Sequence, residues 1–294
     1  MKIIELFYAV YFPGLPPTIP ASKSARVSPD LTTARLERLP DLRVAGLAGG
    51  VCHIDDMTVV THDTLLVSSD KCVQLVDSKQ GQVLSEVQLQ GGVGRLCLTD
   101  RNTAAVSMEG NKIQMIKVED NTLTLGKVLT VSEHILGITS CRNSLVVSYE
   151  EAPWLEVISM DGKVLKQFDN RGESQHFKNP WFMCTTPNGS LLISDCGTIT
   201  ITMVDESLNI LQTFTGPLLK EPHGITAVTE DHILVCNYMN NTILLLQPST
   251  NTVSTLLGED DRIVDPYLLA YCPDQKKVYV PRVDNDTINV YQIA

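Results

Sequence analysis

Short apolar runs, each followed by a small residue and a polar loop, recur along the chain at nearly constant spacing. Six are evident: Leu65–Ser68, Ala104–Ser107, Leu145–Ser148, Leu191–Ser194, Ile233–Cys236 and Val278–Pro281. The third residues of successive runs are 39, 41, 46, 42 and 45 positions apart. A short apolar run bounded by turn residues is typical of a buried strand. Because one four-stranded propeller blade takes about 40 to 45 residues, the spacing predicts an all-β, six-bladed β-propeller.

The fifth repeat illustrates the four strands that we predict for a blade. Polar pairs separate apolar segments, and Asn240-Asn241 is a hairpin turn of the kind that accepts positive φ. The predicted strands are residues 224–228, 233–235, 242–247 and 252–257. The third repeat has the same order, which favours four-stranded blades throughout.

The sixth repeat ends early, because its third strand, residues 287–292, is followed only by Ile293 and Ala294. A blade without its outer strand exposes unpaired backbone groups. We therefore expect a strand from the N-terminal part to close the ring. Residues 33–39 and 43–47 are the candidates, and the second is preferred for its distance from the first predicted strand of the first blade. On this interpretation residues 1–39 are a flexible or Pro-rich leader, and residues 40–294 are one NHL-like propeller.

Composition supports a globular chain, with 43% hydrophobic and 19% charged residues. The formal net charge is −11, and since the first 39 residues carry +2, the propeller carries −13. Binding to a phosphate backbone depends on Lys and Arg that displace counterions. The acidic balance therefore makes nucleic acid an unlikely partner.

The N-terminal segment leaves the location of the protein open between two interpretations. The apolar run 3–12 is too short to span a bilayer, yet it could be the core of a secretory signal. Glu5 within the run counts against a signal, so we expect a cytoplasmic protein, with secretion as the alternative. The eight cysteines form no CxxC pair and favour free thiols in a reducing compartment. The sequons at Asn188, Asn240 and Asn285 matter only if the chain is secreted.

The fifth repeat also carries a family resemblance. Pro222-His223-Gly224-Ile225, followed by Ile233–Asn237 and then Asn241-Thr242-Ile243, resembles an NHL repeat. Leu191–Asp195 resembles the V-x-D segment of that motif more closely. The other five repeats depart from the pattern, since Ser69, Met108, Tyr149, Asn237 and Arg282 replace its Asp.

The chain thus resembles NHL-type six-bladed propellers, above all the C-terminal propellers of tripartite-motif (TRIM) proteins. The resemblance covers residues 40–294 and implies a non-catalytic module for protein interaction or substrate recognition in the ubiquitin pathway. No Cys/His array in the sequence has zinc spacing. We therefore expect no ubiquitin transfer of the RING type by this chain.

One face of the ring is the expected binding surface. In a four-stranded antiparallel blade the start of strand one and the end of strand two lie on the same face. Residues at these points in different blades therefore converge on one rim. The candidate binding residues are Arg95, Tyr149, Trp181, Asp195, His223, Asn237, Tyr238, Tyr267 and Arg282. Tyr, Trp and Arg are the types that anchor protein interfaces, although Trp181 and His223 could equally pack between blades, and Asp195 favours bonding to loop amides.

Three functions are compatible with such a ring. The favoured one is a monomeric, non-catalytic propeller that binds a protein or peptide partner and needs no metal or cofactor. RNA binding would require a basic face with aromatic side chains, whereas Lys163, Lys166, Arg171 and Lys178 are offset by nearby acidic residues. A Ca²⁺-dependent hydrolase of the lactonase or esterase kind could use Asp56, Asp195 and Asn237 at the central channel. That chemistry also needs a general base, and no His or Glu is consistently placed to supply one.

Overall fold

Twenty-five short strands, β1 to β25 in chain order, build the computed structural model of this protein, which describes residues 29–44, 53–150, 154–168, 176–283 and 286–294. Within these residues the strands form six antiparallel sheets. The first five sheets each contain four consecutive strands, and the sixth contains five. This arrangement confirms the predicted all-β, six-bladed propeller with four-stranded blades.

The bounds of the strands follow the predicted repeats closely. Blade 1 contains Asp56–Thr61, Thr64–Ser69, Cys72–Asp77 and Val83–Gln88 (β3–β6); blade 2 contains Val93–Asp100, Thr103–Met108, Lys112–Glu119 and Thr122–Thr130 (β7–β10); blade 3 contains Ile135–Cys141, Ser144–Tyr149, Leu155–Ser159 and Val164–Phe168 (β11–β14); blade 4 contains Pro180–Thr185, Leu191–Asp195, Thr200–Val204 and Ile210–Phe214 (β15–β18); blade 5 contains Pro222–Ala227, Ile233–Asn237, Thr242–Gln247 and Thr252–Leu257 (β19–β22); and blade 6 contains Ala270–Cys272, Lys277–Pro281 and Thr287–Ile293 (β23–β25), joined by Leu36–Arg38 (β1) and Leu42–Arg43 (β2).

The core lies between neighbouring blades, and the second strand of each blade is buried on both sides. All residues of β4, β16 and β20 are buried. The outermost strand β6 instead alternates between half-buried and exposed positions. Buried strands read as continuous apolar runs and half-exposed ones as alternating runs, which explains why the second strands dominate the repeat in the sequence.

The small residue at the end of the run makes a contact between blades in two of the repeats. Ser68 Oγ donates a hydrogen bond to the carbonyl of Gly94 in the next blade at 3.3 Å. Ser148 Oγ likewise donates to the carbonyl of Pro180 at 2.5 Å. Ser107 Oγ instead bonds to the backbone of Arg95 within its own blade.

Residues 29–44, which we call the N-terminal strap, lie along the outer edge of β25. Strand β1 pairs with Tyr291–Ile293, and β2 pairs with Thr287–Ile288. Leu31, Leu42 and Val44 of the strap are buried in the cores of the neighbouring blades. Parts of both candidate closing segments therefore pair with the last strand. The predicted domain boundary at residue 40 falls inside the strap, because β1 and Leu31 precede it.

Several sequence predictions lie outside the described residues. These are the apolar run 3–12 with most of the predicted leader, and residues 45–47 of the preferred closing strand. Among the described residues, no helix is long and apolar enough to cross a membrane. The seven cysteines that the structure describes are free thiols.

Candidate functional site

Strand pairing brings the predicted site positions to one side of the ring. Pro180 pairs with Asp195, Pro222 with Asn237, and Asp56 with Ser68. The start of each of these first strands thus lies beside the end of the second strand. We call this side the upper face, formed by the loops between second and third strands and the loops that join successive blades. The opposite side is the lower face.

Arg95 of β7 lies at the centre of a group of aromatic rings on the upper face. Its guanidinium carbon is 4.0 Å from the ring centroid of Phe182, 4.9 Å from that of Tyr267 and 5.2 Å from that of Trp181. Nη1 donates a hydrogen bond to the carbonyl of Asp55, and Nη2 donates to the Tyr267 hydroxyl. The side chain therefore connects blades 1, 2, 4 and 6, although only 6% of the residue is exposed.

Two acidic residues lie beside this guanidinium. The carboxylate of Asp56 accepts hydrogen bonds from the backbone amides of Met57 and Leu96, both at 2.8 Å. Burial raises the pKa of Asp56, and the positive charge of Arg95 partly offsets that rise. Burial also raises the pKa of Asp55, whose carboxylate accepts the Asp70 amide at 2.8 Å. Asp56 thus holds the backbone where blades 1 and 2 meet.

His223 of β19 is a packing residue within the same group. It is only 5% exposed, and its ring stacks on Tyr238 with centroids 5.2 Å apart and an interplanar angle of 23°. The Tyr267 and Trp181 ring centroids lie 5.0 and 5.7 Å away. Burial lowers the pKa of His223 below its usual range, and the Glu221 carboxylate, 3.4 Å from Nε2, opposes that shift. We call Arg95, Trp181, Phe182, His223, Tyr238 and Tyr267 the aromatic cluster.

Exposed apolar side chains also occur on the upper face. Among the described residues they lie in four loops of blades 4 to 6, at Ile199, Leu218, Met239 and Val264. These blades also contribute five of the six residues of the aromatic cluster. The remaining exposed large apolar side chains all lie on outermost strands, at Leu84, Leu125, Val128, Val164, Leu165 and Leu211. We call the four upper-face residues the apolar patch.

Hydrogen bonds hold these loops together. Asn237 Nδ2 donates to the Leu218 carbonyl at 3.0 Å, and its Oδ1 accepts the Lys220 amide at 2.8 Å. The Tyr238 amide donates to the Glu221 carbonyl at 3.1 Å. The Asp265 amide donates to Asn241 Oδ1 at 2.8 Å. The loops that carry Leu218, Met239 and Val264 are thus fixed relative to one another.

Asp195 holds the loops of blade 4 by hydrogen bonds, as Asn237 does in blade 5. Its carboxylate accepts the backbone amides of Lys178, Asn179, Gly197 and Thr198 at 2.7 to 3.0 Å. The turn that it holds places Ile199 at a φ of 57°, a left-handed conformation that is unfavourable for a β-branched residue. Asp195 therefore bonds loop amides, in the manner that the sequence favoured, and it is fully buried.

Tyr149 and Arg282 lie apart from the cluster. Tyr149 is fully buried and donates a hydrogen bond to the Glu156 carboxylate within blade 3. Arg282 Nε donates to Asn289 Oδ1 at 3.1 Å, and its Nη2 lies 3.5 Å from the Asp41 carboxylate of the strap. Of the nine predicted residues, five thus belong to the aromatic cluster, Asp195 and Asn237 organise its loops, and these two serve other contacts.

The sequence reasoning missed Phe182 and the apolar patch. Met239 and Val264 were available as signals, because each is an apolar residue within a segment that the repeat assigns to a polar loop. One exposed apolar residue is ordinary, but several in the loops of one face indicate an interaction surface. Leu218, beside Pro217 and Gly216, gave the same signal.

The groups proposed for a calcium site are engaged elsewhere. The oxygens of Asp56, Asp195 and Asn237 accept backbone amides, as described above. Among the described residues, no three His, Cys, Asp or Glu side chains are grouped to hold a metal ion. The first strands of all six blades line a central cavity of about 260 Å³. Arg95 and Trp181 are among the residues that line it.

Comparisons with known proteins agree on the architecture. No family model matches the chain, and no curated protein matches its sequence. Its structure is similar to the crystal structure of the β-propeller domain of Cps50 (Swd1) from Myceliophteria thermophila. The TM-score is 0.61 over 82% of this chain and 83% of that one, at 12% sequence identity. The chain is a β-propeller. At this identity the likeness shows the fold alone.

Proposed function

We propose that this protein is a monomeric, non-catalytic propeller that binds a peptide segment of a partner protein on the upper face of blades 4 to 6. The observation that carries this proposal is the position of the apolar patch. Its four exposed side chains lie in upper-face loops of blades 4 to 6, the same blades that contribute five of the six residues of the aromatic cluster. Exposed apolar residues grouped within a polar rim mark interaction sites.

The aromatic cluster supplies the anchors of such a surface. Trp181, Tyr238 and Tyr267 are half-buried, so each ring is held by its neighbours and still reaches solvent. Trp, Tyr and Arg dominate the energetic centres of protein interfaces. Because the loops are already cross-linked by hydrogen bonds, little conformational entropy remains to be lost on binding.

The NHL-type identity forms part of the same proposal. It is supported by Pro222–Ile225, Ile233–Asn237 and the Asp at position 195. The position of that Asp is now explained physically, since Asp195 and Asn237 both hold the loop before the first strand of their blade. On this basis the chain would recognise substrates or partners in the cytoplasm, as the propellers of TRIM-type proteins do.

The alternative functions have weaker support. Lys163 and Lys166 lie at the outermost strand of blade 3, and Lys166 Nζ donates to the Glu206 carbonyl at 2.9 Å. These two lysines are therefore separate from the aromatic cluster on which bases would stack. Lys178 is exposed in the loop just before Trp181, and Arg171 lies outside the described residues. The oxygens offered for Ca²⁺ are engaged with backbone amides.

The proposal is tested with peptides that are selected from a random display library for binding to the wild-type protein. Their dissociation constants are then measured for variants of the protein. Met239→Asp introduces a charge at a residue that is 65% exposed and directly follows Tyr238 of the aromatic cluster. We expect the dissociation constant of a selected peptide to rise about 30-fold, which corresponds to an interface residue worth about 2 kcal/mol. Leu211→Asp, at a residue that is 54% exposed on an outermost strand, is the matched control. Equal losses in the two variants, or no selected peptide at all, would contradict the proposal.

A further inference from the structure

Charged residues are unevenly distributed around the apolar patch. The loop that joins blades 5 and 6 carries Glu259, Asp260, Asp261 and Asp265 against a single basic residue, Arg262. Glu259, Asp260 and Asp265 are exposed. The same loop contributes Val264 to the apolar patch and Tyr267 to the aromatic cluster. The same loop therefore carries part of the apolar patch and a group of exposed acidic residues, Glu259, Asp260 and Asp265, which we call the acidic border.

The acidic border cannot move away from the patch. A short 3₁₀ turn, Glu259–Asp261, begins the loop, and the Asp261 carboxylate accepts the Gly258 amide at 2.9 Å. The Tyr291 hydroxyl of blade 6 donates to the Asp261 carbonyl at 3.0 Å. Farther along, Asn241 holds the Asp265 amide, as described above. The loop is therefore fixed at both ends, so the backbone that carries Glu259 and Asp260 is held in the same loop that presents Val264.

The opposite side of the patch has a different chemistry. The blade 4 turn that presents Ile199 contains Cys196, Gly197 and Thr198 and has no charged side chain. The loop between the second and third strands of blade 5, which presents Met239, contains only Tyr, Met and Asn residues. The loop that presents Leu218 carries the exposed Lys220 and the half-buried Glu221, and Lys178 is exposed in the loop before Trp181. A ligand that covers the patch would therefore meet apolar side chains without an excess of negative charge in blades 4 and 5, and an excess of negative charge in blade 6.

We infer that the partner segment is a peptide with apolar side chains followed or preceded by Lys or Arg residues, its basic part lying over the Glu259–Asp265 loop. This inference rests on the proposed function. Apolar side chains of the peptide cover Leu218, Met239 and Ile199, while its cations lie near the carboxylates at the border. Complementary charges at an interface rim fix orientation and accelerate association more than they raise affinity.

Charge reversal at two places tests the inference with the same selected peptide. Glu259→Lys with Asp260→Lys reverses the acidic border, and Glu119→Lys with Glu230→Lys makes the same change in net charge at exposed lower-face positions. In buffer of low ionic strength we expect the first pair to weaken binding about tenfold and the second pair to have little effect. The difference should shrink as salt is added, because exposed charges are screened beyond about 10 Å at 0.1 M.

The outcomes separate this inference from the proposed function. Selected peptides rich in Lys and Arg, with the expected tenfold difference, support both. Selected peptides that are neutral or acidic, or equal effects of the two reversals, overturn the inference, and the proposed function survives if Met239→Asp still weakens binding. A 20-nucleotide uridine RNA that binds the wild-type protein at physiological ionic strength, and competes with the peptide, overturns it in favour of an RNA ligand.

Discussion

Removal of residues 1–44 is expected to abolish cooperative folding of the propeller or to lower its Tm by 10 °C or more. The deletion exposes the outer edge of β25, which is paired with both β1 and β2. It also removes Leu31, Leu42 and Val44 from the cores of the neighbouring blades. Full burial of such side chains is worth about 2 kcal/mol each, and small folded domains are stable by only about 5 to 15 kcal/mol.

A double variant makes the same test without cutting the chain. Leu31→Ala with Leu42→Ala leaves the backbone pairing possible but removes two buried side chains, at about 2 to 5 kcal/mol each. Glu37→Ala, at an exposed position of β1, is the control and should change the Tm by less than about 2 °C. Thermal scans at one fixed rate give the comparison. An unchanged Tm in the double variant would show that the strap does not stabilise the ring.

Replacement of Arg95 by Met should have the second large effect. Methionine retains much of the side-chain volume but loses the charge, the two hydrogen bonds and the contacts with three aromatic rings. The Tyr267 hydroxyl and the Asp55 carbonyl lose a donor, and the buried Asp56 carboxylate loses a nearby cation. Breaking a buried charged interaction on one side costs about 3 kcal/mol or more.

The measurement is chemical denaturation of Arg95→Met beside the control Arg101→Met, which alters an exposed residue. We expect a free energy of unfolding lower by about 3 kcal/mol in the first variant and a change within about 0.5 kcal/mol in the second. The pKa of Asp56 should rise further in Arg95→Met, because Arg95 is the charge that lowers it. Equal stabilities of the two variants would mean that the guanidinium does not hold the four blades together.

The fold was predictable from the sequence because the second strands repeat a strong pattern. Their apolar runs are buried on both sides, and the small residue that follows is itself buried, with Ser68 and Ser148 bonded to the next blade. In most repeats the second strand must be apolar because it is buried, and the residue after it is small. The same pattern of residue types is therefore visible in the sequence of most repeats. The boundary of the N-terminal strap was harder to predict. Its strands are two and three residues long, too short to show a period.

The site was predictable only in part, for a physical reason. Sequence position places a residue on the upper face but does not say whether its side chain points to solvent. Tyr149 is the last residue of the second strand of blade 3, and Tyr238 directly follows the second strand of blade 5. Tyr149 is buried against Glu156, whereas Tyr238 stacks on His223 and remains half-exposed. The direction of each ring depends on the side chains that pack against it, and in this site some of those contacts join residues more than 100 positions apart, as in the contact of Arg95 with Tyr267.

Amide hydrogen exchange of the wild-type protein, with and without a peptide selected on it, measures most directly where the partner binds. If the upper face of blades 4 to 6 is the binding surface, added protection is expected in residues 196–199, 215–221, 238–241 and 258–269. The lower-face turns of the same blades, residues 186–190, 205–209 and 229–232, should exchange as in the free protein. Protection confined to the lower-face turns or to the outermost strands, with the upper-face loops unchanged, would contradict the proposed binding surface.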